Sequence, residues 1–103
     1  MTLEELKDLL DTTDLPVAFD HFRTEQALPY LVYIVTGDTV FAADNSAYYT
    51  APVIQLELYT AYKSETTEGA VETVLQSVPF FYTKAEGYLP DEQMYMVTYT
   101  FTL

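Results

Sequence analysis

Catalysis and ligand chemistry need particular side chains at particular spacings, and this chain carries few of them. His21 is the only histidine among 103 residues, and there is no cysteine. With a single histidine, His-paired metal sites and Ser-His-Asp triads are largely excluded. The lack of cysteine excludes disulfides, thiolate metal sites and cysteine nucleophiles together. The only glycines are Gly37, Gly69 and Gly87, too dispersed for a phosphate-cradling loop. Neighbouring carboxylates such as Asp91-Glu92 have the chemistry for acid–base work. With sixteen acidic residues such neighbours arise by chance, and solvated surface is their commoner role. Asp38, Asp44 and Asn45 lack the alternating ligands and closing glutamate of a calcium loop. The expectation is a protein with no catalytic apparatus, no cofactor and no metal site, which works by binding other proteins.

The residue types in excess are aromatic: ten Tyr and six Phe. Most suit strands and cores. Tyr48 and Tyr49 follow Asp44-Asn45-Ser46 and precede Pro52, which reads as a loop. Two adjacent loop tyrosines cannot both be buried by alternation, and exposed tyrosines are common interface anchors. Met94 and Met96 fall on the outer face of a closing strand, either as adaptable contact residues or covered by a helix. That strand is uncharged and rich in Thr, so it is also a candidate for edge-to-edge pairing with another subunit. Phe41, Tyr48, Tyr49, Met94 and Met96 form the candidate protein-interface set.

The elements that must position these residues follow from periodicity. Thr2 and Glu5 have capping-box spacing, and Leu3, Leu6, Leu9 and Leu10 then form a helical stripe that Leu15-Pro16 ends. Val17 to Phe22 reads as a short strand carrying His21. Tyr30 to Thr36 is apolar on both faces, as a central strand is. Gly37-Asp38 fits a type II′ hairpin turn, with Thr39 to Ala43 returning along it. Asp44-Asn45-Ser46 is loop chemistry. Val53 to Tyr62 alternates, with Ile54, Leu56, Leu58 and Tyr62 inward. A helix spans about Glu65 to Val78, with Val71, Val74, Leu75 and Val78 buried and Glu65, Glu68 and Glu72 in solvent. Phe80 to Glu86 and Met94 to Leu103 form a hairpin, the latter with Tyr95, Val97, Tyr99, Phe101 and Leu103 inward. The order α-β-β-β-(β)-α-β-β predicts one α+β domain over 1–103. Its antiparallel sheet of about four to five strands has two helices packed on one face.

Charge bounds the partners. Sixteen acids against four bases give −12 at pH 7. Lys7, Arg23, Lys63 and Lys84 are too few and too scattered to neutralise a phosphate backbone, so nucleic-acid binding is not expected. The acidic N-terminus does not read as a signal peptide, and no segment has the roughly 18 apolar residues of a membrane span. The expected location is the cytoplasm of the cell that makes the protein.

Short hydrophobic blocks run through nearly the whole chain: Leu15-Pro16-Val17-Ala18, Leu28-Pro29-Tyr30, Phe41-Ala42-Ala43-Asp44-Asn45 and Tyr48-Tyr49. Gln55-Leu56-Glu57-Leu58-Tyr59-Thr60, Phe81-Tyr82 and Met94-Tyr95 continue the pattern. In these the chain resembles the small tail terminator (tail completion) proteins of long-tailed phages and prophages of Gram-positive bacteria. The resemblance implies a ring homo-oligomer, typically hexameric, that caps the tail tube protein and faces the head–tail connector protein. It implies no reaction and no cofactor. Its place would be the host cytoplasm during assembly and then the head-proximal end of the tail. A head–tail connector component has similar size and pattern and is the alternative within the virion. A small cytosolic ligand-binding domain or enzyme with an aromatic pocket is the alternative outside it.

Overall fold

The computed structural model describes residues 1–43 and 47–103, with side chains described for all of these except 41–43 and 47–49. Helix α1 (Leu3–Asp11) begins where the spacing predicts. The Thr2 hydroxyl accepts from the Glu5 amide at 3.1 Å, and the Glu5 carboxylate accepts from the Thr2 amide at 3.1 Å. Two otherwise orphan donors are thereby satisfied. The order continues through β1 (Val17–Phe19), β2 (Tyr30–Ala43), β3 (Ala47–Thr60), α2 (Glu65–Ser77), β4 (Thr83–Leu89) and β5 (Met94–Thr102).

The five strands form one sheet in the spatial order β1-β2-β3-β5-β4. The sheet is mixed rather than purely antiparallel, because β1 runs parallel to β2, with Val17, Ala18 and Phe19 opposite Leu31, Val32 and Tyr33. Parallel pairing requires a crossover instead of a tight turn, and residues 20–29 supply it. His21 therefore lies in this segment, exposed, rather than on the expected strand.

One face of the sheet carries the core. Leu31 and Tyr33 of β2, Ile54, Leu56 and Leu58 of β3, and Val97, Tyr99 and Phe101 of β5 pack with Leu6 and Leu10 of α1 and Val71 and Leu75 of α2. Period-2 alternation delivers the strand residues to that face, and the 3.6 period delivers the helix residues. Tyr62 departs from the expected stripe: β3 ends at Thr60, and Tyr62 stands 74% exposed beyond it. Val78 falls just past α2 and is exposed, while Val74 is half-buried. The larger correction is Glu68, assigned to solvent by its charge but only 3% exposed. It shares the inward helical face with Val71 and Leu75, three and seven residues on.

Gly37-Asp38 is not a turn. No glycine has a positive φ, and β2 continues through Gly37 to Ala43 after an irregularity between Val35 and Gly37. The extra residue shifts the register of the ladder, as a bulge does, without reversing the chain. Asp44-Asn45-Ser46, expected as loop, lies outside the described residues. Tyr48 and Tyr49 belong to β3, opposite Ala42 and Phe41, and not to a loop. Last, β5 sits between β3 and β4, so both of its edges are paired and it cannot add to another sheet.

Candidate interaction surface

Three features stand outside the core. The first comes from unequal strand lengths. Strand β5 pairs with β3 only from Val53 to Thr60, and β1 pairs with β2 only at Leu31 to Tyr33. Leu103 donates its amide to the Pro52 carbonyl at 2.9 Å, and a Thr39–Thr102 hydroxyl contact of 3.4 Å closes the corner. Past that corner, Thr39 to Ala43 and Ala47 to Ala51 pair only with each other. They form a two-stranded ribbon of roughly 17 Å at about 3.4 Å per residue. The radius of gyration, 14.8 Å, exceeds the about 13 Å expected for a compact chain of this length, in keeping with a projecting element. The paired ribbon residues, Thr-Val-Phe-Ala-Ala and Ala-Tyr-Tyr-Thr-Ala, carry no charge. Val40 is 61% exposed. The candidate residues Phe41, Tyr48 and Tyr49 lie within this ribbon, and their side chains are outside the described set.

The second feature is the sheet face opposite the helices. Gln55 of β3 and Met96, Thr98 and Thr100 of β5 are half-buried there with no helix over them. Met94 and Met96 thus share an outer face as the alternation predicts, but in the sheet interior rather than at an edge. Residues 20–26 cover one end of this face and leave a cleft of about 380 Å³ beneath them. Its walls include Phe22, Tyr30, Tyr59 and Met94, with Asp20, Glu25 and Glu57 among them. Phe22 and Tyr30 meet edge-to-face at 5.2 Å, and Tyr30 and Tyr59 lie 5.1 Å apart. The Glu57 carboxylate accepts from Gln55 Nε2 at 2.8 Å and from the Tyr59 hydroxyl at 2.9 Å. Burial, then that bond to Glu57, pushes the Tyr59 hydroxyl well above the ordinary tyrosine range, so it stays a neutral donor.

The third feature is an ion cluster at the open end of the core. Lys63 Nζ donates to Glu68 at 2.8 Å and Glu86 at 2.6 Å. Lys84 Nζ donates to Glu68 at 2.9 Å and Glu72 at 2.9 Å. Tyr99, fully buried, donates its hydroxyl to Glu72 at 2.8 Å, and Tyr95 donates to Glu86 at 2.6 Å. Burial works to raise the Glu68 carboxyl, but the two ammonium hydrogen bonds outweigh it and hold the group below its ordinary range. Burial at such a site demands charge partners. Adjacency of Lys63 and Lys84 was not legible, because 21 positions separate them.

These pairs also shape the outer surface. Lys7 is spent on Asp11 at 2.9 Å, and Lys63 and Lys84 on the cluster, so three of the four bases are neutralised locally. The rest of the body is left strongly acidic, which sets it apart from the paired ribbon residues. No described helix is long and apolar enough to cross a membrane. No known protein-family model matches this sequence, and no curated protein matches it either.

Proposed function

We propose that the chain is a structural assembly protein of a long-tailed phage or prophage, akin to a tail terminator. Copies close into a ring, hexameric as the resemblance implies, that caps the tail tube protein and meets the head–tail connector protein. The observation that carries this reading is the ribbon, whose paired residues carry no charge, projecting from an acidic body. A two-stranded hairpin is marginally stable in water by itself, so a long one is best explained by a surface that receives it. Copies carrying −12 each repel one another, and contact must run through charge-free patches. The paired ribbon residues form one such patch, and the Met96-Thr98-Thr100 strip of β5, itself uncharged although Glu57 lies opposite Thr98, is a different one. Joining unlike patches is a head-to-tail contact, which generates a ring when its rotation closes. Acids left facing a ring lumen would repel passing DNA, in keeping with a conduit.

Native mass spectrometry over a concentration series, with and without tail tube protein, tests the reading. The expected result is a weakly associating monomer, since small interfaces are weak alone, that becomes a ring on its partner. Val40→Glu places a charge on the ribbon, and it should abolish the ring while the monomer melts as before. A tight dimer that never grows, or a Val40→Glu protein that still caps tails, refutes the proposal. Capture of the connector protein with no affinity for tail tube would move the ring to the head side.

A further inference from the structure

Beneath residues 20–26, the cleft combines two chemistries that each attract a cation, aromatic faces and carboxylates. Aromatic rings of Phe22, Tyr30 and Tyr59 share it with the carboxylates of Asp20, Glu25 and Glu57. We propose that this cleft receives the guanidinium of an arginine side chain from a partner protein, whether or not the chain forms a ring.

Several observations select that occupant. An aromatic face attracts a cation electrostatically, and arginine more often than lysine, because the planar guanidinium also stacks. Glu57 is held in place by its bonds from Gln55 and Tyr59, one to each oxygen. Each carboxylate oxygen has two acceptor sites, so a fork of N–H donors still finds one free on both. Bidentate geometry of that kind is arginine's. Anionic ligands meet three carboxylates and are excluded. At about 380 Å³, the cleft lies at the small end of the roughly 300–1,000 Å³ range of ligand sites, which suits a side chain better than a cofactor.

The chain's own bases do not supply the cation. Lys7, Lys63 and Lys84 are paired elsewhere. Arg23 sits between the lining residues Phe22 and Thr24 but is not itself part of the lining. The His21 ring is engaged with Asp20 at 2.7 Å. The projecting ribbon carries no base and cannot be the occupant, so cleft and ribbon address different partners.

The test is an NMR titration of the labelled full chain at physiological ionic strength. Acetyl-Gly-Arg-Gly-amide is the probe, and the citrulline peptide, of the same shape without charge, is the control. Saturable shifts confined to Phe22, Tyr30, Tyr59 and Glu57 are expected with arginine and none with citrulline. Glu57→Gln, isosteric and half-exposed, should weaken binding about tenfold or more, as loss of a charge-assisted pair does. Tyr30→Leu should weaken it through the ring. Shifts spread evenly over the acidic surface, equal binding of citrulline, or unchanged affinity in Glu57→Gln would each overturn the assignment. So would tighter binding in Arg23→Gln, which would mean that the chain's own arginine fills the cleft.

Discussion

Removing Lys84 should destabilise this protein more than removing Glu68, although the two are partners in one ion pair. Glu68 is 3% exposed and holds two ammonium groups, at 2.8 and 2.9 Å. Charge-assisted hydrogen bonds contribute roughly 1.5–3 kcal/mol each, but a buried carboxylate also loses several kcal/mol of hydration. Glu68→Ala removes both terms. Lys63 keeps Glu86 and Lys84 keeps Glu72, and both lysines are partly in water, with side chains 41% and 30% exposed. The net loss is then about 1–2 kcal/mol. Lys84→Ala leaves the Glu68 carboxylate buried with one ammonium fewer and strips Glu72 as well. Breaking a fully buried pair costs about 3–5 kcal/mol, and the partial exposure of Lys84 brings this to about 2–3 kcal/mol. Urea denaturation of the three proteins at neutral pH measures the difference. The same experiment repeated down the acid range adds a second readout. Because the folded Glu68 carboxyl lies below its ordinary value of 4.5, its contribution is complete above that pH. It is lost as pH falls through the folded value. The gap between the native protein and Glu68→Gln should therefore close below about pH 4.5. A larger loss in Glu68→Ala than in Lys84→Ala, or a gap that persists in acid, would show that Glu68 is not held as a buried anion.

Four further outcomes are expected. At the centre of the core, Leu56→Ala should lose about 2–5 kcal/mol through a cavity, measured by the same denaturation. Burial and a bond to Glu72 raise the Tyr99 hydroxyl above its ordinary 10.0, and hydrogen bonding to Glu68 raises Lys84 above 10.5. Stability should thus be full below pH 10 and fall as pH climbs toward the folded values, with a shallower fall in Tyr99→Phe. Gln93 has a φ of 53° in the β4–β5 turn, a left-handed conformation that costs a side-chain residue about 1–2 kcal/mol. Gln93→Gly should raise stability by about 0.5–1 kcal/mol after its larger unfolded-state entropy, seen as a higher melting temperature. Finally, the isolated protein should give no mobility shift with DNA even near about 50 mM salt, where non-specific binding is strong; a clear shift would count against an acidic lumen.

Local rules account for what was legible in the sequence. The capping box of Thr2 and Glu5 starts α1, because its hydrogen bonds span only three residues. Alternation along β3 and β5 named Ile54, Leu56, Leu58, Val97, Tyr99 and Phe101 as core, because the pleat alone sets which face a side chain takes. The −12 charge and the lack of cysteine are equally local facts. The remaining features depend on pairings between distant segments. A glycine with an ordinary φ looks the same in a sequence as one in a turn, so only the ladder from Gly37 to Val53 shows that β2 runs on. How far β5 reaches along β3 decides where the sheet stops and the ribbon begins. Glu68 can sit among apolar residues only because Lys63 and Lys84 converge on it from outside α2. The cleft likewise exists because a parallel β1 forces residues 20–26 across the outer face, above Tyr30, Glu57 and Tyr59. Side-chain type and period determine faces, but which surfaces stay open is decided by the partner strands, and those are chosen by the free energy of the whole fold.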